Sequence, residues 1–71
     1  MQKYKILDTI FLGFLTYNDS YEMFIEPGDG YISFNGHDIV FVDTKGVEHI
    51  SHTQNHAIDV WLEKGCLEAT E

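Results

Sequence analysis

Three histidines, His49, His52 and His56, form an H-x2-H-x3-H series and are the side chains best suited to chemistry. Imidazole is a favoured ligand of zinc and other transition metals, and Asp59 or Cys66 would supply a further donor. On that reading the chain is a small His-rich metal-binding domain. Its difficulty is geometric. On a strand, His49 and His52 point to opposite faces, and only an early helix start would put His52 and His56 one turn apart on a common face. The plainer reading is three partly exposed histidines near a helix N-terminus.

The other chemical motifs lack their context. Asp19-Ser20-Tyr21-Glu22 resembles the D-S-x-[DE] sequence at which carrier proteins are modified with phosphopantetheine. Such carriers are four-helix bundles, whereas Ser20 falls in a turn between two strand patterns. Pro27-Gly28-Asp29-Gly30 has neither the strand–loop–helix frame nor the lysine of a phosphate-binding loop. Cys66 and His56 are the residue types of a nucleophile and its base, but a single cysteine near a helix end is ordinarily packing. Asp38 and Asp43 bracket a strand, with Glu48 on a neighbouring one, and paired carboxylates need a cleft that 71 residues hardly make. No catalytic residue is expected, and the chain is read as not an enzyme.

Charge says more than any motif. Four lysines face twelve Asp and Glu, there is no arginine, and the formal net charge is −8. Binding nucleic acid directly needs cations that displace phosphate counterions, so DNA, RNA and anionic membrane surfaces are disfavoured. The attractive partner is a basic surface on another protein, including one that normally holds nucleic acid. Glu22, Glu26, Asp29, Asp38, Asp43 and Glu48 would supply the charge. Phe24 and Tyr31, together with Tyr17 and Tyr21, would supply aromatic anchors.

The leading expectation is therefore a non-enzymatic acidic protein-binding module. It is similar in type to phage and mobile-element inhibitors, including nucleic-acid mimics and anti-defence proteins. A second expectation is a structural or assembly subunit, a homodimer or larger homo-oligomer, formed through the apolar segment 10–15 as an edge strand or a helix.

The elements that must position these residues read as one domain over residues 1–71, of α+β class. With 44% apolar residues, five Phe, four Tyr and one Trp, a real core is expected. Cys66 is the only cysteine, so no internal disulfide forms and a cytoplasmic setting is expected. The apolar run Ile10 to Leu15 is too short to span a bilayer, and without a small-residue cleavage site it does not make a secretory signal.

Residues 4–17 carry helical spacing at Ile6, Leu7, Ile10, Phe11, Phe14 and Leu15. Gly13 and the β-branched and aromatic content favour strand. Tyr21 to Glu26 alternates, with Tyr21, Met23 and Ile25 on one face. Tyr31 to Phe34 is a strand, Asn35-Gly36 reads as a type I′ hairpin turn, and His37 to Val42 returns as a central strand. Val47 to Ser51 follows. From about Thr53 a helix begins, with Ile58, Trp61 and Leu62 on one face, Gly65 at its C′ position and a frayed tail from Ala69 to Glu71. The expected fold is a small curled antiparallel sheet or half-open barrel. It would be a meander of four to five strands with one C-terminal helix, plugged by Trp61.

Overall fold

A computed structural model describes residues 2–15 and 18–70. Among these the chain runs as β1 (Gln2–Ile6), β2 (Ile10–Leu15), β3 (Ser20–Ile25), β4 (Gly30–Phe34), β5 (Ile39–Asp43), β6 (Glu48–Ser51), α1 (Ala57–Glu63) and β7 (Leu67–Thr70). All pairings are antiparallel, in the order β3-β2-β6-β5-β4-β1-β7. No helix of the described residues is long and apolar enough to cross a membrane.

The sheet corrects the expected four or five strands to seven, and it does not close into a barrel. Nor is it a meander, because β1 inserts between β4 and β7 while β2 returns to pair with β6. The helix is not C-terminal. It leads into β7, so Ala69 and Thr70 lie in a strand rather than a frayed tail; Glu71 lies outside the described residues. Lys3 to Ile6 pair with Thr70 to Leu67, and Leu67 is buried in the core, which fixes this last strand.

The ambiguous N-terminal stretch is two strands. Ile6 and Ile10 are both buried while Leu7, Asp8 and Thr9 between them are exposed. The apparent helical spacing thus arises where the chain bends between sheet neighbourhoods, with Ile6 at the end of β1 and Ile10 at the start of β2 both turned inward. Thr16 and Tyr17, included in the expected strand, lie outside the described residues. In β2 the alternation is clean: Ile10, Leu12 and Phe14 are buried, and Phe11 and Leu15 are exposed.

One face of the sheet, here called inner, carries the core. Ile6, Ile10, Leu12, Phe14, Ile25, Ile32, Ile39, Phe41 and Leu67 cluster with Ile58 and Trp61 of α1. Four consecutive buried residues, Ile39 to Val42, make β5 the central strand that the apolar run implied. Helix α1 is seven residues long and ends as expected. Gly65 has φ 78°, its N–H donates to the Leu62 carbonyl, and the Cys66 N–H donates to the Trp61 carbonyl at 2.7 Å, the two bonds of a Schellman motif.

Two turns deserve their chemistry. The Asn35-Gly36 turn is not type I′, since only Gly36 has positive φ. Instead Asn35 Oδ1 accepts from the N–H of His37 at 2.8 Å and of Asp38 at 2.7 Å. This side-chain cap makes a four-residue loop and delays the return strand to Ile39. Gly30 has φ 153°, and a Cβ there would collide with the Val42 carbonyl oxygen and the Phe41 ring, so no larger residue fits beside β5.

Among the described residues, strand β2 is joined to β6 through a single bridged pair, Phe14 and Ser51. Hydroxyls reinforce this narrow seam. Ser51 Oγ donates to the Gly13 carbonyl at 2.8 Å and accepts from the Thr53 N–H at 3.1 Å. The Gly13 N–H donates to Thr53 Oγ1 at 3.0 Å, and the His52 N–H to the Gly13 carbonyl at 2.8 Å. These bonds, together with the core contacts of Ile10, Leu12, Phe14 and Ile25, hold the β2–β3 hairpin to the rest of the sheet.

Candidate docking surface and aromatic cleft

Strand β3 forms one edge of the sheet, and of its six residues only Ile25 is buried. Cross-strand partners share a face, so the register of Phe11 with Phe24 and Gly13 with Glu22 sets these residues on the outer side. The two phenylalanine rings meet with centroids 4.8 Å apart, yet Phe24 remains 67% exposed and Phe11 45%. Leu15 and Ile50, on the same side, are each more than half exposed, at 56% and 55%. Carboxylates border the patch. Glu22 lies on β3 itself, Asp19 precedes it and Glu26 follows it, all exposed.

The opposite side of the hairpin forms a cleft of about 370 Å³ lined by Phe14, Tyr21, Met23, Phe41, Asp43 and His49. Its rings run in a continuous series. Tyr21 stacks on Phe14 at 5.4 Å between centroids, Phe14 meets the His49 ring edge-on at 6.4 Å, and His49 stacks on Phe41 at 5.7 Å. Asp43 supplies the charge. Its Oδ1 accepts from the N–H groups of Lys45 at 2.9 Å and Val47 at 3.0 Å, and its Oδ2 lies 3.0 Å from His49 Nε2. A carboxylate can only accept, so Nε2 carries the hydrogen and donates. The His49 hydrogen bond first, and then that from the Val47 N–H, hold the Asp43 carboxyl below its ordinary pKa. Both side chains stay accessible, His49 at 38% and Asp43 at 27% exposure.

The residues singled out from the sequence divide between these places. Glu22, Phe24, Tyr31 and Glu48 share the outer face. Tyr31 is half-buried, with the Lys3 ammonium 5.5 Å from its ring centroid, which makes it a poor free anchor. Asp29 is turned onto its own loop, its Oδ2 accepting from the Glu26 N–H at 2.8 Å. Asp38 sits half-buried in the β4–β5 loop, and Asp43 lines the inner cleft. Tyr17 lies outside the described residues. The acids therefore do not form one face. Asp59 and Glu63 are exposed on the helix, while Lys3 and Lys5 lie on the outer side of β1.

The histidines do not gather into a metal centre. His49 points into the cleft toward Asp43, His52 is exposed beyond the end of β6, and His56 is exposed at the helix N-cap without a side-chain cap bond. Among the described residues no three His, Cys, Asp or Glu side chains converge where a metal ion would sit. Cys66 packs against the core. The expected zinc or other transition-metal site therefore has no ligand set here, because the helix starts at Ala57 rather than near Thr53.

Sequence reasoning missed the cleft and the seam. Asp43 and His49 stand out in the sequence for different roles, and nothing local says that they pair. The chain matches no protein-family model, no curated protein and no solved structure.

Proposed function

We propose that this chain is a protein-binding module whose β2–β3 hairpin docks on a basic surface of a partner protein. The observation that carries the reading is Phe24. It is the most exposed large apolar side chain of the described residues, its ring packs at a tilt against Phe11, and it lies at a sheet edge bordered by Asp19, Glu22 and Glu26. An aromatic centre with a charged rim is the usual anatomy of a docking patch. Covering a phenylalanine this exposed contributes on the order of 1–2 kcal/mol. The net charge of −8 selects a cationic partner and speeds encounter with it.

This reading takes the inhibitor or adaptor form of the expectation and does not depend on mimicry of nucleic acid, which would call for a single negative face. The test uses a fluorescent lysine- and arginine-rich peptide of about 20 residues as a basic probe, an interface-sized stretch. Its affinity for the protein should fall steeply between 50 mM and 500 mM salt and should drop in Phe24→Ser and Glu22→Gln. Affinity independent of salt and of both substitutions would defeat the reading.

The assembly alternative changes form. Strand β2 pairs with β3 along its whole length and with β6 at Phe14, so the 10–15 segment is an inner strand of the sheet rather than the expected edge strand or helix. Only its outward Phe11 and Leu15 remain for face-to-face contact. A solution mass separates the two readings: a stable oligomer that ignores the basic peptide favours assembly.

A further inference from the structure

We infer that the cleft on the inner side of the β2–β3 hairpin is a receptor site for one cationic side chain, a lysine or arginine, presented by the docked partner. The inference rests on the docking reading and assigns the partner's anchor to a place.

Four rings, those of Tyr21, Phe14, His49 and Phe41, line one cleft in an unbroken series of contacts. Aromatic faces attract ammonium and guanidinium groups held within about 6 Å of the ring centroid, and the attraction grows when water is excluded. A cleft lined by aromatic rings alone would also accept a neutral apolar group. Asp43 decides against that. Its carboxylate is held in place by two backbone N–H groups and by His49, and it remains part-exposed within the cleft. A buried apolar occupant would strip water from this anion and return nothing, whereas a cation replaces the lost solvation. The volume of about 370 Å³ suits a side chain rather than a folded segment. Met23, exposed on the cleft wall, supplies a flexible apolar surface for the aliphatic stem of the entering side chain.

The position of the cleft makes it reachable from the docking patch. Tyr21 and Met23 alternate along β3 with Glu22 and Phe24, so a partner seated over this edge meets the outer patch and the cleft at once. Glu22 then guides the approach of positive charge, and Asp43 receives it.

The experiment follows the aromatic and histidine resonances of the whole chain by NMR while N-acetyl-arginine methylamide is added. The neutral isostere N-acetyl-citrulline methylamide is the control. The inference expects saturable shifts at Tyr21, Phe14, Phe41 and His49 with the arginine compound, and affinity lower by at least about tenfold for citrulline. Asp43→Asn keeps the Oδ1 acceptor for the turn while removing the charge, and should weaken arginine by about fivefold or more. Tyr21→Ala, at an exposed position, should weaken it by about threefold, and serves as the second variant should Asp43→Asn fail to fold.

Equal binding of citrulline, or shifts confined to Phe11, Phe24 and the surface carboxylates, would overturn the cleft site. In that case salt-sensitive binding of the basic peptide would still uphold the docking reading. If instead the cleft binds arginine and the peptide shows no dependence on salt or Phe24, docking fails while a cation site stands.

Discussion

Removing one hydroxyl, in Ser51→Ala, should loosen the whole β2–β3 hairpin. Ser51 is 3% exposed, and its Oγ bonds the Gly13 carbonyl at 2.8 Å and the Thr53 N–H at 3.1 Å, with Thr53 Oγ1 3.0 Å away. Each intramolecular hydrogen bond contributes about 0.5–1.5 kcal/mol, and a stranded buried donor costs about 1–3 kcal/mol. The Gly13 carbonyl keeps its bond from His52, so the main loss is at the Thr53 N–H and the paired hydroxyls. The sum is about 2 kcal/mol.

For 71 residues the total stability is on the order of 4–10 kcal/mol, so the loss is a sizeable share. It should lower Tm by roughly 8–16 °C. Urea and thermal unfolding, followed by the fluorescence of Trp61, measure this directly, because the single Trp lies in the core. Amide exchange gives the location: protection should fall at Gly13 and His52 more than along β4 and β5. A Tm within about 3 °C of the parent, or exchange that rises uniformly, would refute the idea that hydroxyls hold the seam.

Two further substitutions test the frame around the cleft. Gly30→Ala should destabilise by about 2–4 kcal/mol, since the added Cβ meets the Val42 carbonyl at a backbone φ of 153°; an unchanged urea midpoint would contradict this. The lowered pKa of Asp43 favours the folded state above the unfolded-state carboxyl pKa of about 3.9, and that stability is lost as pH falls through the lower folded value. Asp43→Asn should therefore lower the urea midpoint at pH 7, with the gap to the parent narrowing below about pH 4; a gap constant with pH would show that the charge contributes nothing.

What the sequence disclosed was local. The alternation of Tyr21 to Ile25, the apolar run Ile39 to Val42 and the Gly65 stop each follow from side-chain period or backbone conformation within a few residues. Strand β7 was not legible, because Leu67-Glu68-Ala69-Thr70 is short and half polar. Its strand state comes from pairing with Lys3 to Ile6 at the other end of the chain. The bend at Leu7-Asp8-Thr9 was disguised by the helical spacing of Ile6 and Ile10. The Asn35-Gly36 pair suggested a tighter turn than forms, because the Asn35 side chain offers the backbone a competing acceptor. For the site, residue types were visible but their meeting was not. Phe14 reaches His49 only through the pairing of β2 with β6, and Asp43 reaches His49 only across the β5–β6 turn.

That dependence ties the two proposed surfaces together. The cleft walls belong to opposite sides of the seam: Phe14, Tyr21 and Met23 ride on the hairpin, while Phe41, Asp43 and His49 belong to β5 and β6 with the turn between them. Among the described residues β2 and β6 share one bridged pair, so the Ser51 and Thr53 hydroxyls, together with the core contacts of Leu12, Phe14 and Ile25, hold the two walls of the cleft against each other. Ser51→Ala should therefore cost cation binding as well as stability, whereas Phe24→Ser, on the outer face, should cost peptide docking and leave the cleft intact. The same arrangement bears on whether the exposed edge strand can pair with a second copy. Antiparallel association of two β3 edges brings their Glu22 side chains close, between bodies that each carry a formal charge of −8, and like charge at an edge opposes such pairing. A cationic segment would meet no such repulsion, so on the proposed reading the acids that oppose a second copy at this edge would also select the partner that docks there.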